Sequence, residues 1–502
     1  MAVFDLVSEI TESFGARPAT SSTEHDFSQW FASQCCNYGL EVEEQTFNTV
    51  RSPGFALGLL YVLPTAIVIF SRFVPFPFLR WVLVALLVVN VVLLALQLQG
   101  RGILDGIARK GPSQNIIARY TPTSYNERMR KIVFVAHVDT PVVSPLNTES
   151  TASLHRRLTN WSFYYLVVAV VVLAFLACGF AWMETAELWV WLGLAIGSAV
   201  PMILGLDALL MPILNTQSLG ANDSASGIAS LLGVIDNIAQ EHGGQLGQGD
   251  TKCHETFGTD GDEALQQSSD LAAPEDDDWL GLGGDFDARS AGKDIGTWDN
   301  FETSAFEAIR PEQSATEQRP VRRAESRPTA QPVRAMSSTL TSPNIEGSSK
   351  AFTAAFDGKE VWFVATGARH ANATGMRAFL NTFSPELRDA LIVNLESVGF
   401  GDLHWYEREA APLSVSISSR IVSLSKRAAR ELELRISGAR MTSGVTAATP
   451  ALFKHHKAGT ITRLVSTGFP EAYRATDDNA EACTPEALDE TVAFLLEFLA
   501  QA

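Results

Sequence analysis

The sequence predicts a three-layer α/β/α domain with a mostly parallel central sheet, interrupted by two transmembrane helical hairpins and a disordered linker. Three observations carry that reading. Short β-rich runs alternate with helical runs in both parts of the chain, the pattern of a parallel sheet with helices on both faces. Four apolar runs stand in two close pairs. The charge is lopsided as well: residues 241–310 hold 17 Asp and Glu against 4 Lys and Arg, which is −13 of the −18 carried by all 502 residues. So acidic a chain excludes a general affinity for nucleic acid. The five cysteines show no CxxC spacing, which predicts neither a disulfide framework nor a zinc knuckle and fits a reducing compartment.

In chain order, residues 4–14 form an amphipathic helix and 26–38 a second one, stopped by Gly39. Residues 40–47 alternate as an exposed strand. The first apolar pair follows, 55–70 (FALGLLYVLPTAIVIF) and 81–98 (WVLVALLVVNVVLLALQL). The second pair, 161–183 and 188–206, is parted only by a polar bridge at 184–187. A membrane helix takes about 20 apolar residues, with about 17 as the lower bound. The second and third runs meet that length, and the first reaches it with Gly54 and Ser71. Each pair returns the chain to the side it left. Arg51, Arg101, Arg109, Lys110, Arg156 and Arg157 flank the pairs on that side, against Arg72 and Arg80 at one tip. The positive-inside bias therefore places the hydrophilic parts in the cytoplasm of a multi-pass cell-membrane protein. Residues 1–51 are polar and too long for a signal peptide.

Between and beyond the hairpins, residues 115–120 and 132–136 are strands, the second apolar throughout as a central strand should be. Residues 228–238 are helical. Residues 241–350, rich first in Gly, Ser, Asp and Gln and then in Pro, Ser and Arg, have too little to bury and read as a disordered linker. Past it come a buried strand at 361–365, a helix at 376–383, a strand at 391–395 and a closing helix at 485–500 with a proline near its start. On this reading residues 1–50, 101–155, 213–240 and 351–502 build one domain, and 51–100 and 156–212 are the hairpins.

Chemistry in such sheets collects past the carboxyl ends of the strands. His137 and Asp139 follow strand 132–136 in IVFVAHVDT, Asp223 sits in the turn GANDSASG, and Glu396 follows strand 391–395 in NLESVG. One neutral imidazole with carboxylates from separate strand ends is a donor set of the kind that binds Zn²⁺. Asp139 is placed to orient the His137 ring from behind.

These segments resemble the co-catalytic zinc aminopeptidases of metallopeptidase family M-28. The opening FGARPATSSTEHDFSQWFASQCCNYGLEVEEQTF is similar to that family's first two helices and strand. IVFVAHVDT is similar to its histidine-x-aspartate strand end, and GANDSASGIASLL to its bridging-aspartate motif. FVATGARHANATGMRAFL resembles the strand and loop bearing two consecutive glutamates, and NLESVG the later acidic ligand. TGFPEAYRATDDNAEACTPEAL resembles the C-terminal His-x-x-Asp motif. The likeness covers everything but the hairpins and the linker.

The resemblance implies a zinc-exopeptidase fold, removal of N-terminal residues from peptides, and zinc. It assigns His137, Asp223 and Glu396 to one metal. The second metal's glutamate and histidine positions hold His370 and Arg474, and the general-base glutamate position holds Arg369. A guanidinium stays protonated, so it neither abstracts a proton nor ligates a cation. One zinc is thus expected, while the second loses its ligands. Two readings stand open: a membrane-anchored hydrolase with an altered one-metal site, in which His370 assists as base or extra ligand, and a catalytically inactive pseudo-peptidase that binds or scaffolds. Arg369 and Arg474 also suit recognition of a substrate carboxylate or phosphate, which adds a sensor of anionic metabolites. One hairpin lies between His137 and Asp223 and the other follows the N-terminal strand, which points to a peptide or membrane-associated substrate near the bilayer. Spans without a charge at mid-membrane argue against a transporter.

Overall fold

The structure, a computed structural model, describes residues 2–108, 110–122, 129–148, 150–178, 184–242, 244, 246, 358–410, 413–441 and 444–502. The linker expected at 241–350 lies, from 247 onward, outside the described residues. Hydrophobic spacing sets the first element: Val3, Val7, Ile10 and Phe14 share one face of α1 (Val3–Phe14) and are buried. Helix α2 (Ser22–Asn37) opens on Ser21, whose hydroxyl accepts from the Glu24 N–H and satisfies one of the donors a helix start leaves over. Strand β1 (Glu41–Val50) has no fully buried residue until its last two. Helices α3 (Gly54–Ser71) and α4 (Pro77–Leu98) precede β2 (Lys110–Tyr120) and β3 (Arg130–His137). Helices α5 (Ala152–Ala177), α6 (Glu184–Gly197) and α7 (Ala199–Leu214) then lead to one turn of π-helix at Ala221–Ala225 and α8 (Ser226–Glu241).

The chain resumes with β4 (Lys359–Thr366), α9 (Thr374–Phe383), β5 (Leu391–Leu395), β6 (Asp402–Glu409) and β7 (Val415–Ser416). It ends through α10 (Ser419–Glu431), β8 (Ile436–Arg440), α11 (Thr449–Phe453), β9 (Lys457–Leu464) and α12 (Pro485–Gln501). The strands form one sheet in the order β1-β2-β4-β3-β5-β9-β6-β7, with β8 paired to β6. Two apolar layers enclose it. Val133, Val135, Trp362 and Ile392 meet α9 and α11 on one face, while Ile132, Phe134, Phe363 and Val393 meet α1, α2, α8, α10 and α12 on the other. This is the three-layer arrangement.

The expectation of a mostly parallel sheet needs correction. Only the centre, β4-β3-β5-β9, pairs parallel, with β8 parallel to β6; β1–β2, β2–β4, β6–β9 and β6–β7 are antiparallel. The reason is coverage. Parallel strands need crossover helices and burial on both faces, which the central strands have. The link from β1 to β2 spends its helices in α3 and α4 instead of crossing the sheet, so β2 returns antiparallel.

Register fixes where the hairpins leave. Val50 pairs with Lys110, Asn115 with Thr366, and Thr366 with His137. The end of β1, the start of β2 and the carboxyl ends of β3 and β4 therefore lie along one edge of the domain, and the segments α3–α4 and α5–α7 are inserted there. Four helical stretches are long and apolar enough to cross a membrane: Gly54–Ser71, Pro77–Leu98, Ala152–Ala177 and Ala186–Leu214. The last is α6 and α7, broken at Ser198 and carrying Asp207. Helix α3 packs along α7 and α4 along α5. Glycines permit the first contact: a Cβ on Gly58 would stand 2.4 Å from Leu209 Cγ and 3.0 Å from the Gly205 carbonyl. Leu60, Leu87, Leu94 and Leu166 fill the bundle centre, while Phe78 and Trp189 are more than 70% exposed, as lipid-facing side chains would be. Against the reading of the cysteines as reduced, Cys36 is disulfide-bonded; Cys35, Cys178 and Cys483 are free.

Candidate functional site

The site gathers where β3, β4 and β5 end. Burial of β3 carries His137, its last residue, to the edge of the core at 1% exposure. Asp223 comes from the π-turn. That turn starts on Gly220 at φ +69, a left-handed conformation that suits glycine, and its Cβ position is filled by Thr140 Cγ2 at 2.4 Å. Asp478 anchors the turn by accepting from the Asn222 N–H at 2.8 Å and the Asp223 N–H at 3.1 Å. Arg17, fully buried, donates to the Val138 and Gly220 carbonyls and to Ser224 Oγ, tying β3 to the same turn.

Past β4 the chain bends through Ala368 at φ +53 and reverses at Asn372 and Ala373, at φ +62 and +49. Three non-glycine residues in the left-handed region within six positions are an uncommon concentration, and such strain persists only where surroundings impose it. The surroundings are two carboxyl groups. Glu24 accepts from the Ala368 N–H at 3.0 Å, and Asp139 from the N–H groups of Arg369 and His370 at 2.7 and 2.8 Å. Asp139, expected to orient the His137 ring, instead shapes the 368–370 loop.

The structure brings His137, Asp223 and His370 together. His137 Nε2 lies 3.3 Å and His370 Nε2 2.8 Å from the same oxygen, Asp223 Oδ2. The two rings meet edge to face at a centroid distance of 5.3 Å. Glu396, expected beside them as a ligand, is held by Arg369 in a buried ion pair. Arg369 also places Nη1 2.9 Å from His370 Nδ1. A guanidinium only donates, so Nδ1 is the acceptor, the ring proton sits on Nε2, and that proton is given to Asp223. Burial first and the Arg369 charge second push the His370 imidazole down to about 4, which keeps it neutral. Burial alone would raise Asp223; the two facing imidazoles reverse this and hold it well below the ordinary carboxylate range. Burial, with the nearby Asp223 charge, lifts Asp478 to about 8.

Two imidazole nitrogens and a carboxylate oxygen, all within 4.8 Å of one another, fit one divalent ion such as zinc, with a position left for a further ligand. His137, Asp223 and His370 would hold it. The surroundings work against it. A metal on His370 Nε2 needs the proton moved to Nδ1, where Arg369 already points a donor. His137 Nδ1, which in metal sites usually donates to an oxygen behind the ring, is buried with no hydrogen-bond partner among the described residues. Nothing in the set fits a second ion.

Arg474, at φ +50, lies on the wall of a cavity of about 170 Å³ lined by Arg369 and His370 and by Leu57, Leu98, Leu204 and Met211 of the long apolar helices α3, α4 and α7. Sequence reading missed Arg17, Glu24 and Asp478. Asp478 had a signal, since it stands in the same TDDN stretch as Arg474's motif; Arg17 and Glu24 had none short of the fold.

No protein-family model and no curated protein sequence matches the chain. Among solved structures it is similar to a Zn-dependent exopeptidase from Parabacteroides distasonis, at 11% identity and TM-score 0.42 over 99% of this chain and 96% of that one. It is similar to an aminopeptidase from an Aneurinibacillus strain, at 12% identity and TM-score 0.44 over 100% and 93%. A glutaminyl cyclase from Bacteroides thetaiotaomicron gives 11% and 0.42 over 99% and 96%. At such identities and scores no residue role passes from these proteins to this chain.

Proposed function

We propose that the chain is a membrane-anchored pseudo-peptidase: a zinc-exopeptidase-like domain on four membrane helices that binds a ligand at this site and does not hydrolyse it. The observation that carries this is the position of Arg369. It neutralises Glu396 and donates to His370, so one side chain cancels an acidic ligand and disfavours the imidazole tautomer a metal needs. Among the described residues, the groups around Asp223 that could serve a water as base are already engaged by other partners, His137 apart. Glu396 is paired, Asp139 and Asp478 each accept two backbone N–H groups, and His370, neutral with its proton turned toward Asp223, has its other nitrogen taken by Arg369. What remains is a pocket lined by Arg369, His370 and Arg474, suited to an oxyanion.

The convergence of His137, Asp223 and His370 favours a second reading, an aminopeptidase-like hydrolase with one zinc. Zinc bound there would supply a Lewis acid and lower the pKa of its water. Metal analysis with an aminoacyl reporter panel separates the two. The pseudo-peptidase reading expects less than one zinc per chain after purification and no hydrolysis. One zinc per chain, lost in His137→Ala and Asp223→Ala together with turnover, would establish the hydrolase.

A further inference from the structure

The cavity joins two chemistries that seldom share a wall. On its domain side stand Arg156, Arg369 and Arg474; on its membrane side Leu57 and Tyr61 of α3, Leu98 of α4, and Leu204, Ala208 and Met211 of α7. Among the described residues neither Arg156 nor Arg474 makes an ion pair, and Arg474 leans over the Tyr473 ring at 5.7 Å with its charge bearing on His155. The one acidic lining residue, Asp207, is already engaged by Ser144 Oγ and the Leu146 N–H. Buried side-chain acceptors on the wall, among them Gln97 Oε1, Asn147 Oδ1 and Asn160 Oδ1, have no hydrogen-bond partner among the described residues. Buried polar atoms are paired in the great majority of cases, so these oxygens call for a donor in the cavity, and it is the arginines that call for an anion.

We infer that this cavity binds an anionic amphiphile, a carboxylate or phosphate head on an alkyl chain. The head lies between Arg156 and Arg474, and the chain runs between α3 and α7 toward the bilayer. The volume, about 170 Å³, is near the roughly 150 Å³ of a cavity that holds one benzene ring. It therefore takes the head and its first carbons, not a folded partner. The inference rests on the reading that the site binds a ligand, and it names the ligand's class.

Full-length protein in phosphatidylcholine nanodiscs, titrated calorimetrically against empty discs as blanks, tests it. Decanoate and decyl phosphate are expected to saturate one site, at least tenfold tighter than decanol, acetate or inorganic phosphate. Arg474→Gln should weaken decanoate about tenfold, the size of one charge-assisted contact, and Ala208→Trp, which fills the apolar end, should abolish saturation. Discs containing phosphatidylglycerol distinguish the source: loss of decanoate binding there identifies a bilayer lipid, and unchanged binding a free amphiphile. Equal affinity for decanoate and decanol, or for decanoate and acetate, overturns the proposal. So does unchanged binding in Arg474→Gln, whose thermal midpoint shows whether it is folded. Hydrolysis of an aminoacyl reporter would instead refute the pseudo-peptidase reading and leave this binding intact.

Discussion

Arg369→Gln separates the two roles assigned to that arginine. Arg369 and Glu396 are 9% and 8% exposed, so removing the cation leaves a carboxylate buried, with Asn394 Nδ2 at 3.4 Å as its remaining side-chain hydrogen-bond donor among the described residues. Breaking a buried pair from one side costs about 3–5 kcal/mol. Glutamine keeps one donor near Glu396, which puts the expected loss at the lower end, about 3 kcal/mol. At about 2–4 °C per kcal/mol, Tm falls by roughly 6–12 °C in the presence of a chelator. The same change frees Glu396 and lets His370 move its proton to Nδ1, so the variant gains affinity for zinc. Zinc at a hundredfold excess over Kd returns about 2.7 kcal/mol, nearly the whole loss. The assay is thermal unfolding of purified full-length protein in detergent, with chelator and with zinc. Zinc should raise the variant's Tm well above any effect on the parent. An undisturbed Tm in chelator, or an equal zinc shift in both proteins, would refute the argument that Arg369 occupies the site.

Three further outcomes follow from the same geometry. Burial, then repulsion by Asp139, lifts the Glu24 carboxyl from 4.5 to about 8 despite its three donors. The folded state thus keeps a proton that the unfolded chain releases, and stability should fall as pH rises from 4.5 to 8, by at most about 1.4 kcal/mol per pH unit. Unfolding midpoints across that range should flatten in Glu24→Gln, and an unchanged slope counts against the assignment. Asp478→Ala strips the acceptor from two backbone N–H groups of the π-turn, a loss of about 1–3 kcal/mol, and hydrogen exchange at Asn222 and Asp223 should speed up while α12 stays protected. Gly58→Leu forces α3 off α7, because its Cβ position is already filled by Leu209. Overpacking of this kind costs about 1–3 kcal/mol, and limited proteolysis should then cut between the helices before it cuts the sheet domain.

What the sequence disclosed was local. The apolar run of β3, the glycine-flanked turn at Asp223 and the uncharged stretches of α3, α4 and α5 each announce themselves within a few residues. Two kinds of feature stayed hidden. One is strand direction at the sheet's flanks, which depends on where the α3–α4 connection runs and not on any residue of β1 or β2. The other is the set of contacts that shape the site. Glu24 reaches Ala368, Arg17 reaches Ser224 and Asp478 reaches Asn222, across 344, 207 and 256 positions respectively. Nothing in the local pattern marks Glu24, which looks like an ordinary first-turn acid of α2.

The Arg369–Glu396 pair sharpens this point. Position by position, Arg369 reads as a lost base and Glu396 as a surviving ligand, and the natural inference is a half-intact metal site. The two readings are not independent, because the same guanidinium that cannot act as base also consumes the acid. Placing glutamate at 369 alone would therefore set two buried carboxylates beside Asp223 without a counter-charge. Such a cluster ionises fully only if a cation enters. The expected phenotype of Arg369→Glu is a protein less stable than Arg369→Gln in chelator and more strongly rescued by zinc. The reverse order would mean that Glu396 is stabilised by something other than Arg369.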